Sequence, residues 1–469
     1  MWGQRGATWE QISHLSWGLL NNGIAMLSCG TRFVVAGLVV GVLAVGCKDR
    51  DATGGTAPSD SVMAVASAVG EVGADASSAA PEPAEAPAAK GPRVDRVVLL
   101  TIDSMRGDQP WTGYEFGSTP VLSKLAETGV VYTRAYAISN TTGPALSGFL
   151  AARYPTEMER DNCPLAGFTV GEGLAPVLLN AGVWTAAAHG HAYFAGSAAP
   201  KGGFADWRTI DRVAGKLAQE GAVTGHEVTE LVLALLEAAP SDKPSFIWGH
   251  YLEPHDTYVQ HKEFPPSKHP RRSLYDGEVA YSDNEVGKVL AAIDASPMRD
   301  RTAVIVSADH GEAFGEHERY RHGFSVFDEE THVPLLLRIP GQAPRRIETP
   351  RSGIDIPRTI AALLRVESPD RWRGRSLTED WGDDPPEVRP VIVDVPELMN
   401  LAAQQVVVLG KYKVSKFGTK WAVYDMDVDP GEKRPLPARE AEEWIQKAKD
   451  VLATIETVPS SKCLRQAYK

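Results

Sequence analysis

Two aliphatic runs that each end on an acid constrain this chain most. The run RVVLLTID carries Asp103 at its end, and the run TAVIVSADHGE carries Asp309 and His310. An unbroken stretch of Val, Leu and Ile, without polar alternation, suits a strand buried on both faces, as in parallel sheets. In such sheets ligands sit in the crevice beyond the carboxyl ends of the strands. Asp103, Asp309 and His310 are thereby directed toward one region. Two carboxylates and an imidazole suit a hard or borderline divalent cation: Ca²⁺, Mg²⁺, Mn²⁺ or Zn²⁺. Either acid taken alone is equally well explained as a cap on the segment after it.

The chain has 469 residues and a formal net charge of -12. No basic run or aromatic-basic platform offsets that charge, which argues against nucleic acid as a partner. An anionic ligand would therefore be held by local groups, such as a metal, histidines or helix ends. Phe33–Gly46 is a stretch of 14 uncharged, mostly apolar residues behind Arg32. It is short for a membrane span and suits the core of an export signal. The Ala44-Val45-Gly46-Cys47 that closes it resembles a bacterial lipobox, with Cys47 as the lipidated residue; an uncleaved short anchor is the alternative. Residues 48–93 are rich in Ala, Ser, Gly, Pro and Glu, and no aromatic side chain occurs between Cys47 and Trp111. Such a stretch buries too little apolar surface to offset its ordering entropy, and reads as a tether. The expected organisation is a signal over 1–47, a linker over 48–93, a main domain over 94–380 and a smaller one over 381–469, in an exported, lipid-anchored protein of the cell envelope. With Cys29 in the signal and Cys47 acylated, Cys163 and Cys463 remain as a disulfide or as two free thiols.

From residue 94 onward, strand-like and helix-like segments alternate. Strands are expected at Arg96–Ile102, Trp184–Ala188, Phe246–Gly249, Ala303–Ser307 and Val333–Ile339. Helices are expected at Leu174–Asn180, Thr224–Ala239 and Tyr275–Ala295. Another helix opens at Thr119-Pro120, an N-cap followed by proline, and stops at Gly129. This rhythm specifies an α/β fold, a doubly wound sheet with helices on both faces. Shorter strands at Val391–Val395, Gln405–Val408 and Lys411–Ser415, with a helix over Glu440–Leu452, specify a small α+β region at the C-terminus.

Pro144 fits the first turn of a helix running to Ala152, which sets Thr142 at its N-terminus, where free N–H groups attract anions. Thr142 is explained as a helix cap by the same placement. An alcohol becomes a useful nucleophile only when a base or a metal activates it, and the cation inferred at Asp103 and Asp309 would do so.

Several of these segments together resemble the sulfatase branch of the alkaline phosphatase superfamily, from Arg96 to Glu432. Ile102-Asp103-Ser104-Met105-Arg106-Gly107-Asp108 is similar to its opening motif. Thr142-Gly143-Pro144 leading to Arg153-Tyr154-Pro155 is similar to its nucleophile signature. Glu253-Pro254-His255-Asp256-Thr257-Tyr258, Asp309-His310-Gly311-Glu312, and His322-Gly323 followed by Val333-Pro334-Leu335 also match, as do Tyr424-Asp425-Met426-Asp427 and Asp429-Pro430-Gly431-Glu432. The resemblance implies a mixed, alkaline-phosphatase-like sheet and one metal bound by Asp103, Asp309, His310 and the hydroxyl of Thr142. It also implies that Thr142 attacks phosphorus or sulfur, and that His255 and His322 bind substrate or protonate the leaving oxygen. His191 would be a further substrate contact. No second cluster of metal ligands is evident in the sequence.

The chain also departs from that pattern. Thr142 stands where classical members of the family convert the signature Cys to formylglycine. Leu146 stands where it usually has Arg, Ser104 where a second acidic ligand is common, and His310 where Asn is common. Threonine with an Asp-His pair is more similar to the phosphoryl-transfer members of the superfamily. Three activities follow as expectations: a metal-dependent hydrolase or transferase of phosphate esters, a sulfuric ester hydrolase working without formylglycine, or a lapsed enzyme that binds anionic glycans. The substrate is in each case a small or glycan- or lipid-linked anionic ester.

Overall fold

The computed structural model describes residues 94–161, 168–195, 200–210, 223–397 and 401–462. The expected signal, lipobox and linker, and both Cys163 and Cys463, lie outside these residues. Among the described residues, no helix is long and apolar enough to cross a membrane.

Among the described residues, eleven strands precede residue 353: β1 (Arg96–Ile102), β2 (Val130–Tyr136), β3 (Trp184–His189), β4 (Asp206–Thr209), β5 (Ser245–Tyr251), β6 (Thr302–Ala308), β7 (Ala313–Phe314), β8 (Tyr320–Arg321), β9 (His332–Arg338), β10 (Arg345–Ile347) and β11 (Arg351–Ser352). Nine of them form one sheet in the order β10-β2-β9-β6-β1-β5-β3-β4, with β11 also on β2; β7 and β8 pair separately. The sheet is mixed, because β9 runs antiparallel to both β2 and β6 while the other pairs are parallel.

β1 lies between β5 and β6, and every one of its seven residues is buried. Successive side chains alternate between two cores, as the strand period of two requires. Val97 and Leu99 join Phe246, Trp248 and Ile305 on one face, under the helices Thr142–Ala151, Leu174–Asn180 and Ile356–Leu363. Val98, Leu100 and Ile102 join Ile247, Val304 and Val306 on the other, under Pro120–Thr128, Gly225–Ala238 and Ser273–Ala295. Burial on both sides is why the run shows no polar alternation.

The helix Pro120–Thr128 starts and stops as expected, but the Thr119 side chain makes no capping bond. The carboxylate of Asp283, on the helix Ser273–Ala295, accepts the free N–H groups of Val121 (3.0 Å) and Leu122 (2.8 Å) instead. A long-range acid thus performs the cap.

At the C-terminal end, β12 (Val391–Val395), β13 (Gln404–Leu409), β14 (Tyr412–Phe417) and β15 (Lys420–Asp425) form an antiparallel sheet. Val391, Val393, Val406 and Val408 pack with Tyr136 and Val326, while Val407, Val414 and Val423 pack with the helix Ala438–Leu452. Lys413 is wholly buried and ties this sheet to the short helix Asp328–Thr331 before β9, at 2.6 Å from Asp328 and 3.0 Å from Glu432.

Candidate active site

β1 and β6 are parallel neighbours in matched register, Ile102 opposite Ala308, so the residues that follow them emerge side by side. Asp103, Asp309 and His310 are all buried there. One ligand atom from each lies within 4.8 Å of the other two. Nε2 of His310 stands 3.6 Å from Asp103 Oδ1 and 3.4 Å from Asp309 Oδ2. Ser104 turns the chain at a positive φ of 58° and donates its N–H to Asp309 Oδ1 at 3.2 Å. This uncommon backbone angle is held by Tyr275, whose hydroxyl donates to the Ser104 carbonyl and accepts the Arg106 N–H.

Thr142 is the first residue of the helix Thr142–Ala151. Its Oγ1 lies 3.2 Å from His310 Nε2 and 3.5 Å from Asp103 Oδ2. All four residues assigned to the metal from sequence therefore come together. Nδ1 of His310 faces the Gly311 carbonyl at 2.9 Å and so carries the proton, leaving a lone pair on Nε2 toward the two acids. Burial lowers the pKa of this imidazole, keeping it neutral. Burial, and then the Asp103 charge, push Asp309 up to about 7. Its Oδ2 has no hydrogen-bond partner among the described residues. An orphaned buried carboxylate oxygen, a second carboxylate and a neutral imidazole lone pair are the donors a divalent cation takes, so these residues fit one.

The three remaining histidines border this cluster. The ring of His322 lies 4.2 Å from that of His310 and 5.1 Å from that of His255, which lies 5.6 Å from that of His191. Nδ1 of His255 faces the Asp256 carbonyl at 2.6 Å, and Nδ1 of His322 faces Glu312 Oε1 at 3.1 Å. Burial opposes a charge on His255, yet Asp103, with Glu312 and Asp309, outweighs it and raises the imidazole. Burial, and then His255, push His322 down to about 3. Burial takes His191 to about 3 as well, despite Asp103. Asp103, His191 and His255 also have ligand atoms within 4.8 Å of one another. His191 Nδ1, however, already accepts the Tyr193 N–H at 2.9 Å. In the neutral ring the proton is then on Nε2, so His191 presents a donor and not a lone pair.

Two further residues were not evident from sequence. His250, at the end of β5, is wholly buried and brings Nε2 to 3.4 Å from Asp103 Oδ2. Glu330, also wholly buried, gathers three segments of the site. Its side chain accepts the N–H groups of Gly323, Phe324 and Ser325 at 2.8, 3.1 and 3.2 Å, just past His322. It also accepts from Asn140 Nδ2 at 3.4 Å, two residues before Thr142, and its carbonyl accepts the Gly311 N–H at 2.8 Å. The signal for His250 was present in FIWGHY, one residue beyond the strand as drawn from the apolar run. For Glu330, nothing local separates it from its acidic neighbours Asp328 and Glu329.

Comparison with known proteins agrees with this geometry. The family model described as Sulfatase matches residues 95–366. The uncharacterized sulfatase YidJ of Escherichia coli is 34% identical over 97 residues, 21% of this chain and 19% of that protein, so this alignment spans about a fifth of its length. The N-acetylgalactosamine-6-O-sulfatase of Bacteroides thetaiotaomicron is 24% identical over 480 residues, covering 77% of this chain and 93% of that protein. Among solved structures, the phosphonate monoester hydrolase of Silicibacter pomeroyi superposes with a TM-score of 0.63 at 18% identity, over 76% of this chain and 94% of that one, a likeness of fold. Matched across its central sheet and all of the strand ends that build the site, the chain belongs to the sulfatase family, within the alkaline-phosphatase-like superfamily.

Proposed function

We propose that this hydrolase cleaves or transfers phosphate esters with Thr142 as its nucleophile. One observation carries the reading: the Thr142 hydroxyl stands at a helix start, 3.2 Å from His310 and 3.5 Å from Asp103, beside the acids that fit a divalent cation. Asp103, Asp309, His310 and Thr142 are the residues that would hold the ion. A bound divalent cation lowers the pKa of a coordinated alcohol and draws charge from the non-bridging oxygens of an ester.

In this reading the Thr142 hydroxyl gives its proton up to solvent, Asp103 staying charged, and Thr142 Oγ1 attacks phosphorus in line. The Thr142–phosphorus bond forms as the bond to the leaving oxygen breaks, and His255, the imidazole with the raised pKa, protonates that oxygen. His255, having given up its proton, takes one from the water that cleaves the threonine ester, which restores both His255 and Thr142; His322, neutral and with Nδ1 turned to Glu312, stands beside the substrate as a contact. His191 holds a non-bridging oxygen through its Nε2–H. Where an alcohol acceptor replaces water the same steps make a transferase.

A sulfuric ester is the second reading, favoured by the sulfatase named among the relatives above. A threonine sulfate has no second hydroxyl on its attached carbon, so it cannot expel sulfate by elimination and must be opened at sulfur. The test is a panel of aryl phosphate monoesters, diesters, phosphonates and sulfates, run with and without chelator on the wild type and three variants. Thr142→Ala is expected to lose several orders of magnitude in kcat and Thr142→Ser to keep a substantial part. Thr141→Ala should cost far less. Equal activity in Thr142→Ala and the wild type would overturn the assignment. Export and lipid attachment at Cys47 complete the proposal, and would place this chemistry at the cell envelope.

A further inference from the structure

We infer that His250 is a positioning residue for Asp103, fixed as the Nε2–H tautomer by a one-way chain of hydrogen bonds through Trp248 and Thr101. The inference rests on the reading of Asp103 as a cation ligand given above.

The direction follows from what each group can do. The Trp248 indole can only donate, and its Nε1 lies 2.9 Å from Thr101 Oγ1, so the threonine oxygen accepts there. The Thr101 hydroxyl then has one proton to give. His250 Nδ1 is 2.8 Å away, whereas the Gly249 carbonyl is at 3.5 Å. Donation to the nearer group puts a lone pair on Nδ1 and the proton on Nε2. Nε2 lies 3.4 Å from Asp103 Oδ2, with no closer hydrogen-bond partner among the described residues.

The opposite tautomer would set a nitrogen lone pair against a buried carboxylate, and both neighbours of Thr101 would then donate to its oxygen. It is disfavoured at both ends. Thr101 and His250 are register partners on β1 and β5, so the sheet itself holds them opposite each other. Trp248 and His250 are wholly buried, and Thr101 nearly so, which leaves little water to compete for these bonds.

An N–H aimed at a ligating carboxylate orients it and favours its charged form; removing such an outer partner typically costs ~10–100-fold in metal affinity. The consequence is that Thr101, which does not reach the cation, influences its binding through His250 alone. Residues acting in series lose additivity, and this supplies the test.

Mn²⁺ binding would be measured by titration calorimetry on the wild type, Thr101→Val, His250→Phe, the double variant, and His250→Gln. Nitrogen NMR of the metal-free protein would report which ring nitrogen of His250 carries the proton. We expect the Nε2–H form, a loss of ~10–100-fold in Mn²⁺ affinity for each single variant, and no further loss in the double. His250→Gln, whose amide N–H can replace Nε2–H, should recover most of the affinity. Thr185→Val, a buried threonine on β3 away from the centre, is the control and should bind Mn²⁺ as the wild type does.

An Nδ1–H tautomer, or losses that simply add in the double variant, would overturn the inference. So would equal weakening by His250→Gln and His250→Phe, which would mark the role as packing. Should the wild type bind no Mn²⁺ while showing the Nε2–H tautomer, the reading of Asp103 as a cation ligand fails and the hydrogen-bond chain stands.

Discussion

Replacing Glu330 by Gln tests how the loops of the site are held, because this carboxylate is buried and pushed up to about 7 by that burial. Its hydrogen bonds, to three backbone N–H groups and at 2.6 Å to the Ser325 hydroxyl, favour the charged form but do not overcome the burial. Its ordinary value is 4.5, so the folded state holds the proton more tightly than the unfolded chain does. The sign of the pH effect follows. This residue favours the folded state as pH falls through 7, and the advantage is absent above 7. Between pH ~8 and ~5.5, linkage makes the wild type about 2 kcal/mol more stable relative to Glu330→Gln, which cannot take up the proton. Other buried acids titrate equally in both proteins and cancel from the difference. Urea unfolding of the two proteins at each pH measures it. A wild-type advantage that is the same at both pH values would refute the reasoning. Glu330→Ala removes every acceptor at once and should cost roughly 3–5 kcal/mol, since each unpaired buried N–H costs about 1–3 kcal/mol and Gly323 and Phe324 regain some water. In both variants kcat should fall, because the His322 loop and Asn140 lose their common anchor.

Asp309→Asn should lower bound metal, measured by elemental analysis, and remove the metal-dependent rise in Tm, which is about 2.7 kcal/mol of stability when the ion is at ~100 times its Kd. Without metal the same change should leave the protein as stable as the wild type or more so, because it removes repulsion between two buried acids. Lys413→Met leaves Asp328 and Glu432 facing each other without a cation and should destabilise by about 3–5 kcal/mol in chemical unfolding. Cys47→Ala should move the protein from the detergent phase to the aqueous phase on partitioning; an unchanged partition would remove the lipid anchor.

Much of the main sheet is legible in the sequence because its strands are buried on both faces. Arg96–Ile102 and Val391–Val395 match to the residue, and the helices Leu174–Asn180 and Ser273–Ala295 lie within two residues of their expected limits. β2 is not legible, because VVYTRAY carries Thr133 and Arg134 at its centre; Arg134 is partly exposed and reaches the Gly410 carbonyl. β15 is similarly masked, since KWAVYD carries no aliphatic run and opens on the exposed Lys420. Asp103, Thr142, Asp309 and His310 could be read because each stands where an element ends or begins. Asp283 and Glu330 could not, because their partners are distant in the chain and no spacing rule connects them; His250 lies one residue beyond the apolar run Phe246–Gly249, and only the register of β5 against β1 shows what it faces.

The placement of β1 also sets the order in which this domain can be assembled. This strand, the first among the described residues, pairs Arg96 with Ser245 on one side and with Thr302 on the other. The first neighbour is made only when the chain reaches residue 245 and the second at residue 302, so Val97–Ile102 spends that interval as an apolar segment without its strand partners. Unpaired edges of this kind seed association between chains, and distant pairing of this kind slows folding. The centre shares the same history. Asp103 is made early and His310 late, and they meet only when β6 docks against β1; a fragment ending before residue 310 contains the first acid but not the site.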